Sequence, residues 1–216
     1  MRTNDSSNMR LMTLTKDQLS DLYNDRMRKD FPPSELKPLF VMLDAVDKGI
    51  YETLGLYDGD EIVGYSCLVK LGNDYLVDYL AVYPEKRNGG IGSILVKLLY
   101  DHIDSAGSFI IEVEDPDYAR DDEDRKLRIR RMDFYLRNGC FDTGVRAKCF
   151  GVEFILLRMG KEKLEKQKCW DTYSSIYRAI LPKDMYDENI ELLGFSDDQG
   201  VSNGTNNLLR VREREI

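Results

Sequence analysis

The stretch Arg87-Asn88-Gly89-Gly90-Ile91-Gly92-Ser93 sets one guanidinium and three glycines between an apolar run, Tyr75–Val82, and a helix-like run from Ile94. Residues of these types suit a phosphate. Glycines let a backbone approach a pyrophosphate closely. A helix start offers unpaired N–H groups and the positive end of its dipole, and Arg87 can add charge-assisted hydrogen bonds. A nucleoside-triphosphate loop would need a lysine after the glycines, and none follows. A dinucleotide loop would need a third glycine where Leu95 stands, although Glu112 lies near the distance at which that fold keeps its acidic residue. The lone histidine, His102, reads as a surface or half-buried helical residue. Cys67, Cys140, Cys149 and Cys169 form no CxxC pair, so the sequence predicts neither a metal site nor a disulfide framework.

The elements around this loop follow from apolar periodicity. Thr15 is an N-cap candidate for a helix carrying Leu19, Leu22, Tyr23 and Met27. Phe31–Ser34 breaks the chain with two prolines, and Glu35–Val46 reads as a short second helix with Pro38 near its first turn. The period then falls to two. Turns at Asp58-Gly59-Asp60 and Leu71–Asp74 divide three strands of a meander. A helix of about four turns follows the glycine loop and ends near Ala106-Gly107. Phe109–Glu114 is a buried strand, and Tyr75–Glu114 makes a right-handed parallel crossover. An acidic loop leads to a helix from Asp122 to Asn138-Gly139, and two strands follow around Gly151. Residues 161 to about 182 form an amphipathic helix with Trp170, Tyr173, Ile176, Tyr177 and Ile180 on one stripe. Beyond Gly194 the chain turns polar, and mobility is expected there.

The 216 residues suit one domain with an appendage, here 1–160 and 161–216. With 42% hydrophobic and 32% charged residues, the chain can bury a core and stay soluble. No apolar run reaches membrane-spanning length and the first residues lack a signal-peptide core, which predicts a cytoplasmic protein. The net charge of −8 disfavours nucleic acid and anionic membrane as partners. The arginines of Arg125–Arg131 spread over several helix faces behind an acidic segment, so ion pairing along the helix is expected.

Arg87–Gly92 fits R/Q-x-x-G-x-G/A after a strand ending in Ala81-Val82, and Asp133–Phe141 supplies an aromatic–tyrosine pair before a glycine turn. With the element order of residues 9–159, these two signatures resemble the GNAT superfamily of acetyl-CoA-dependent N-acetyltransferases. The resemblance implies an α+β fold of three layers. Its central, mostly antiparallel sheet splays between the fourth and fifth strands, and here a C-terminal helical appendage is added. The implied co-substrate is acetyl-CoA, without a metal. Its contacts would be Leu80, Ala81, Val82, Arg87, Asn88, Gly89, Gly90, Ile91, Gly92, Ser93 and Tyr135. The implied reaction is attack of a primary amine, on a small molecule or a peptide, on the acetyl thioester.

Such an amine arrives protonated and needs a base. Glu112 is the first candidate, Glu114 the second because it alternates onto the same face, and Asp78 the third. By resemblance, Tyr135 is the acid that faces the leaving thiol, and a backbone N–H near Val82 polarises the thioester carbonyl. The loop Phe31–Leu39 would wall the acceptor cleft, where Glu35, Asp115 and Asp117 would favour a cationic amine. The appendage could cover that cleft, form a homodimer surface or stabilise the core. Two rival readings stand beside this one: a non-catalytic acyl-CoA-binding regulatory module, and a DNA-binding regulator using the arginine helix.

Overall fold

A computed structural model describes residues 9–33, 35–103 and 107–196. The expected helix stop at Ala106 and the polar tail past residue 196 lie outside the described residues. Where the apolar period is two, the chain forms β1 (Met9–Thr13), β2 (Tyr51–Asp58), β3 (Glu61–Leu71) and β4 (Asp74–Val82), paired antiparallel in that order. α4 (Ile91–His102) crosses over to β5 (Ser108–Glu114), which lies parallel to β4. α5 (Asp122–Arg137) leads into the hairpin of β6 (Phe141–Cys149) and β7 (Val152–Met159). These are the expected meander, crossover and hairpin.

Before the meander, α1 (Lys16–Leu22) opens with a reciprocal capping box. The Gln18 N–H donates to Thr15 Oγ1 at 3.2 Å, and the Thr15 N–H donates to Gln18 Oε1 at 2.9 Å. A wider π-helical turn (Tyr23–Met27) and the short α2 (Arg28–Asp30) continue it, and α3 (Leu39–Asp47) starts after Pro38. The last segment contains α6 (Lys166–Ile180), α7 (Lys183–Asn189) and β8 (Ile190–Phe195). β8 pairs antiparallel with β6, giving eight strands in the order β1-β2-β3-β4-β5-β7-β6-β8. The apolar pattern announced the helix of this appendage but not its strand.

The sheet is the middle of three layers. On one face Leu19, Met27, Met42, Tyr65, Ile110, Tyr173 and Ile176 form a continuous core beneath α1, α3 and α6. On the other, Val96, Leu99, Phe109, Ile111 and Leu157 pack with α4 and with Met132, Phe134 and Tyr135 of α5. Full burial of each such aliphatic or aromatic side chain contributes roughly 1.5–3 kcal/mol before the entropy of ordering it. Among the described residues no helix is long and apolar enough to cross a membrane.

One irregularity shapes the middle of the sheet. Leu68 pairs with Val77 while Cys67 pairs with Tyr79, so Asp78 is an extra residue on β4, a β-bulge. Pairing of β4 with β5 covers Asp74–Val77 against Ser108–Ile111 and stops there. β4 continues to Val82 and β5 to Glu114, so the two strands part at the bulge. The Tyr83 N–H donates to Val63 O at 3.0 Å. By the alternation of an antiparallel ladder, the N–H and C=O of Leu80 and Val82 then face the gap rather than β3.

Candidate active site

The mouth of the gap is built by the glycine loop. Gly90 caps α4 with φ of 78°, a left-handed conformation that glycine adopts without strain. Asn88 is also left-handed, at φ 65°, which asparagine tolerates better than most residues. The first N–H groups of α4 have no helical carbonyl to bond, so the helix presents donors where the loop ends. Arg87 is exposed, and its Nε donates to Val82 O at 3.0 Å, joining the loop to the free edge of β4. Gly92 has a different reason for its size. A Cβ there would stand 3.1 Å from Cζ of Phe134 and 3.9 Å from Cγ2 of Val82. The end of β4, the start of α4 and the aromatic pair of α5 therefore meet at one point. Tyr135 is half-buried beside Phe134, with ring centroids 5.1 Å apart. Burial pushes its phenol above the ordinary value. Among the described residues its hydroxyl has no hydrogen-bond partner.

The crotch of the gap holds two carboxylates, on the face covered by α1, α3 and α6. Asp78, the bulged residue, accepts from Lys37 Nζ at 2.5 Å and from the Tyr51 hydroxyl at 2.6 Å. Burial disfavours the Lys37 ammonium, but Asp78, Tyr79 and Glu112 together outweigh it and raise the lysine above its ordinary value. The Lys37 N–H donates to the Tyr79 hydroxyl at 2.9 Å, and that hydroxyl donates to Glu35 O at 2.8 Å, which anchors the Phe31–Leu39 loop to β4.

Glu112 is the first β5 residue past the last β4 pair. It is half-buried and accepts from two hydroxyls of α6. Tyr173 donates at 2.5 Å and Tyr177 at 3.0 and 3.1 Å. Desolvation raises the carboxyl above the ordinary glutamate value, and the Tyr173 bond, the Lys37 charge and the Tyr177 bond partly offset it.

The other candidates lie apart. Glu114 is ion-paired with Arg128 and Arg131 of α5, so its partners belong to the opposite helical layer from those of Glu112. Asp115 is buried, accepts from the Asp117 N–H and lies 3.9 Å from Arg146. Asp117 pairs with Arg125 at 3.5 Å, and Glu35 is exposed. His102 sits near Glu52, at 3.2 Å, roughly 16 Å along α4 from Ile91. Three of the four arginines of Arg125–Arg131 pair along or beside their helix: Arg125 with Asp117, Arg128 with Asp124 and Glu114, Arg131 with Glu114. Four residues of the crotch were not singled out as site residues in the sequence: Lys37, Tyr51, Tyr173 and Tyr177. Only the last two left a signal, two phenols four residues apart on a stripe that is otherwise apolar.

The profile of the acetyltransferase (GNAT) family matches residues 16–121. No curated protein sequence matches the chain. Among solved structures, a protein assigned to the GNAT family from Bacteroides thetaiotaomicron superposes with a TM-score of 0.65 at 21% identity, covering 79% of this chain and 97% of its own. The ribosomal-protein-S18-alanine N-acetyltransferase of Escherichia coli superposes with a TM-score of 0.51 at 16% identity, covering 72% and 98%. At such identities these likenesses concern the fold, and the family rests on the profile match over the loop and the splayed strands. By that match, with a fold that agrees with it, residues 16–121 form a domain of the GNAT acetyltransferases, a family of acyl-CoA-dependent transferases.

Proposed function

We propose that the chain transfers the acetyl group of acetyl-CoA to a primary amine of a small molecule or peptide, by direct attack in a ternary complex. The observation that carries this reading is the gap opened at Asp78. It has the backbone groups of Leu80 and the Val82 N–H, turned away from β3, on one side, Glu112 on the other and a phosphate-suited loop at its mouth. In this reading the pantetheine arm lies along Leu80–Val82 like an added strand. The pyrophosphate rests on Arg87–Ser93 at the start of α4. The Val82 N–H polarises the thioester carbonyl as an oxyanion donor. Glu112 takes the proton of the amine, directly or through water. The amine nitrogen bonds to the carbonyl carbon, the C–S bond breaks, Tyr135 gives a proton to the departing thiolate, and the second proton that the nitrogen sheds on becoming an amide restores Tyr135 through water. Glu112 ranks above Glu114 and Asp78 because both of those are already committed to cations, at Arg128 and Arg131 and at Lys37. The E. coli neighbour of the same fold is named for acetylating an alanine, which supports an amine acceptor. The four buried free thiols suit a reducing compartment, and we place the reaction in the cytoplasm.

Calorimetry with acetyl-CoA, on wild type and Arg87→Ala, tests the donor site, and thiol release across a panel of amines tests the chemistry. Wild type should bind, the variant should bind about tenfold more weakly, and at least one amine should release thiol above background. No binding at millimolar acetyl-CoA would overturn the reading. Binding without thiol release from any amine would favour an acyl-CoA-binding regulatory module.

A further inference from the structure

We infer that Tyr173 and Tyr177 are positioning residues for Glu112, so that α6, which lies beyond the matched residues 16–121, sets the orientation and proton occupancy of the catalytic carboxylate. This rests on Glu112 being the base. Both phenols are buried, at 0% and 2% exposure, so neither hydroxyl can turn to water. Filling that space would require only rings, yet both hydroxyls converge on one carboxylate. Tyr173 bonds Oε1, and Tyr177 spans Oε1 and Oε2.

The rings are themselves held. Tyr173 lies against Trp170 with centroids 5.6 Å apart and edge-on to Tyr177 at 4.9 Å. The Cys149 thiol of β6 donates to the Tyr177 oxygen at 3.2 Å, which leaves the tyrosine proton directed at Glu112. Two donors aimed at the same carboxylate favour its ionised form, and a protonated carboxyl would confront them with a third proton. The other charged or titratable neighbours are Lys37, on the loop before α3, which favours the anion, and Asp78 of β4, which opposes it. The phenols therefore counter the desolvation that α6 itself imposes. The carboxylate thus sits in a desolvated place with two donors held to its ionised form.

Tyr173→Phe and Tyr177→Phe keep the rings and remove one donor each. The titration midpoint of Glu112, read by carboxyl NMR on the whole chain, should rise by about one pH unit in each variant. With an amine that wild type acetylates, the acid limb of the pH profile of kcat/KM should move upward by the same amount, while acetyl-CoA affinity stays within about twofold. A packing role alone would lower stability and leave the midpoint and the limb in place, and that result would overturn the inference. Tyr177→Phe reads a separate donor if Tyr173→Phe does not fold. The carboxyl titration needs no acceptor. If wild type binds acetyl-CoA but acetylates no amine, the proposed activity falls, while the midpoints still decide whether the tyrosines hold Glu112.

Discussion

Replacing Lys37 should cost more than replacing its partner. The two side chains meet at 2.5 Å, but Asp78 is 3% exposed and Lys37 is 25% exposed. Lys37→Met leaves a buried carboxylate with the Tyr51 hydroxyl as its one side-chain donor among the described residues. Breaking a buried pair in this way costs about 3–5 kcal/mol. Asp78→Asn keeps the shape and a hydrogen bond to Tyr51, and the freed ammonium, nearer the surface on its flexible stem, can turn toward water. That loss should be about 1–2 kcal/mol. The double variant removes both charges together and should cost less than the sum, with a coupling of about 1–3 kcal/mol. For a chain of this size, 3 kcal/mol corresponds to a fall in Tm of roughly 6–12 °C. Urea denaturation and thermal melts of the four proteins at one pH and one ionic strength give the comparison. Equal costs for the two single variants, or simple additivity in the double, would refute the account of Asp78 as a buried bulge residue neutralised from one side.

Other substitutions separate donor binding, chemistry and pH response. Gly90→Ala meets no atom within 4 Å but must hold φ at 78°. It should lose about 1 kcal/mol in chemical denaturation through backbone strain alone, with weaker acetyl-CoA binding in calorimetry. Tyr135→Phe should lower kcat by about 10²-fold with the KM for acetyl-CoA unchanged, as steady-state kinetics would show. Glu112 has a folded-state pKa above the ordinary 4.5. Its stabilising contribution is therefore complete below that value and is lost as pH rises through the folded pKa. Glu112→Gln should flatten that part of the stability profile between acid and neutral pH in a series of urea titrations.

Local rules carried much of the fold. The Thr15 N-cap, the Asp58-Gly59-Asp60 turn and the Asn138-Gly139 stop each depend on neighbours a few residues away, so the sequence announces them. The same holds for the glycine loop and for the aromatic pair Phe134–Tyr135. The bulge at Asp78 depends on how β4 registers against β3, and no local pattern expresses that. β8 was hidden because Ile190–Phe195 is short and follows α7 without a break, and an apolar run of that length suits strand or helix equally. On α6 the stripe was legible as a buried face, but a phenol is apolar along its ring and polar at its tip. The stripe alone gives the rings and not the target of the hydroxyls. The alternation of Glu112 and Glu114 was equally legible. Their separation was not, because it depends on arginines of α5 reaching the end of β5.

The closing of α6 over Glu112 also sets an order of assembly. The carboxylate meets donors that are 61 and 65 positions later in the chain, and α6 itself is followed by β8, which completes the edge of the sheet. Contacts of such sequence separation form late, because the loop between them must first be closed. During synthesis the glycine loop, α4 and α5 can pack against the strands between them while Glu112 still faces water. A nascent chain halted before Lys166 would hold the glycine loop and α4 and lack both phenols that bond Glu112. In the proposed reaction, acquisition of a working carboxylate is thus tied to arrival of the last helical segment.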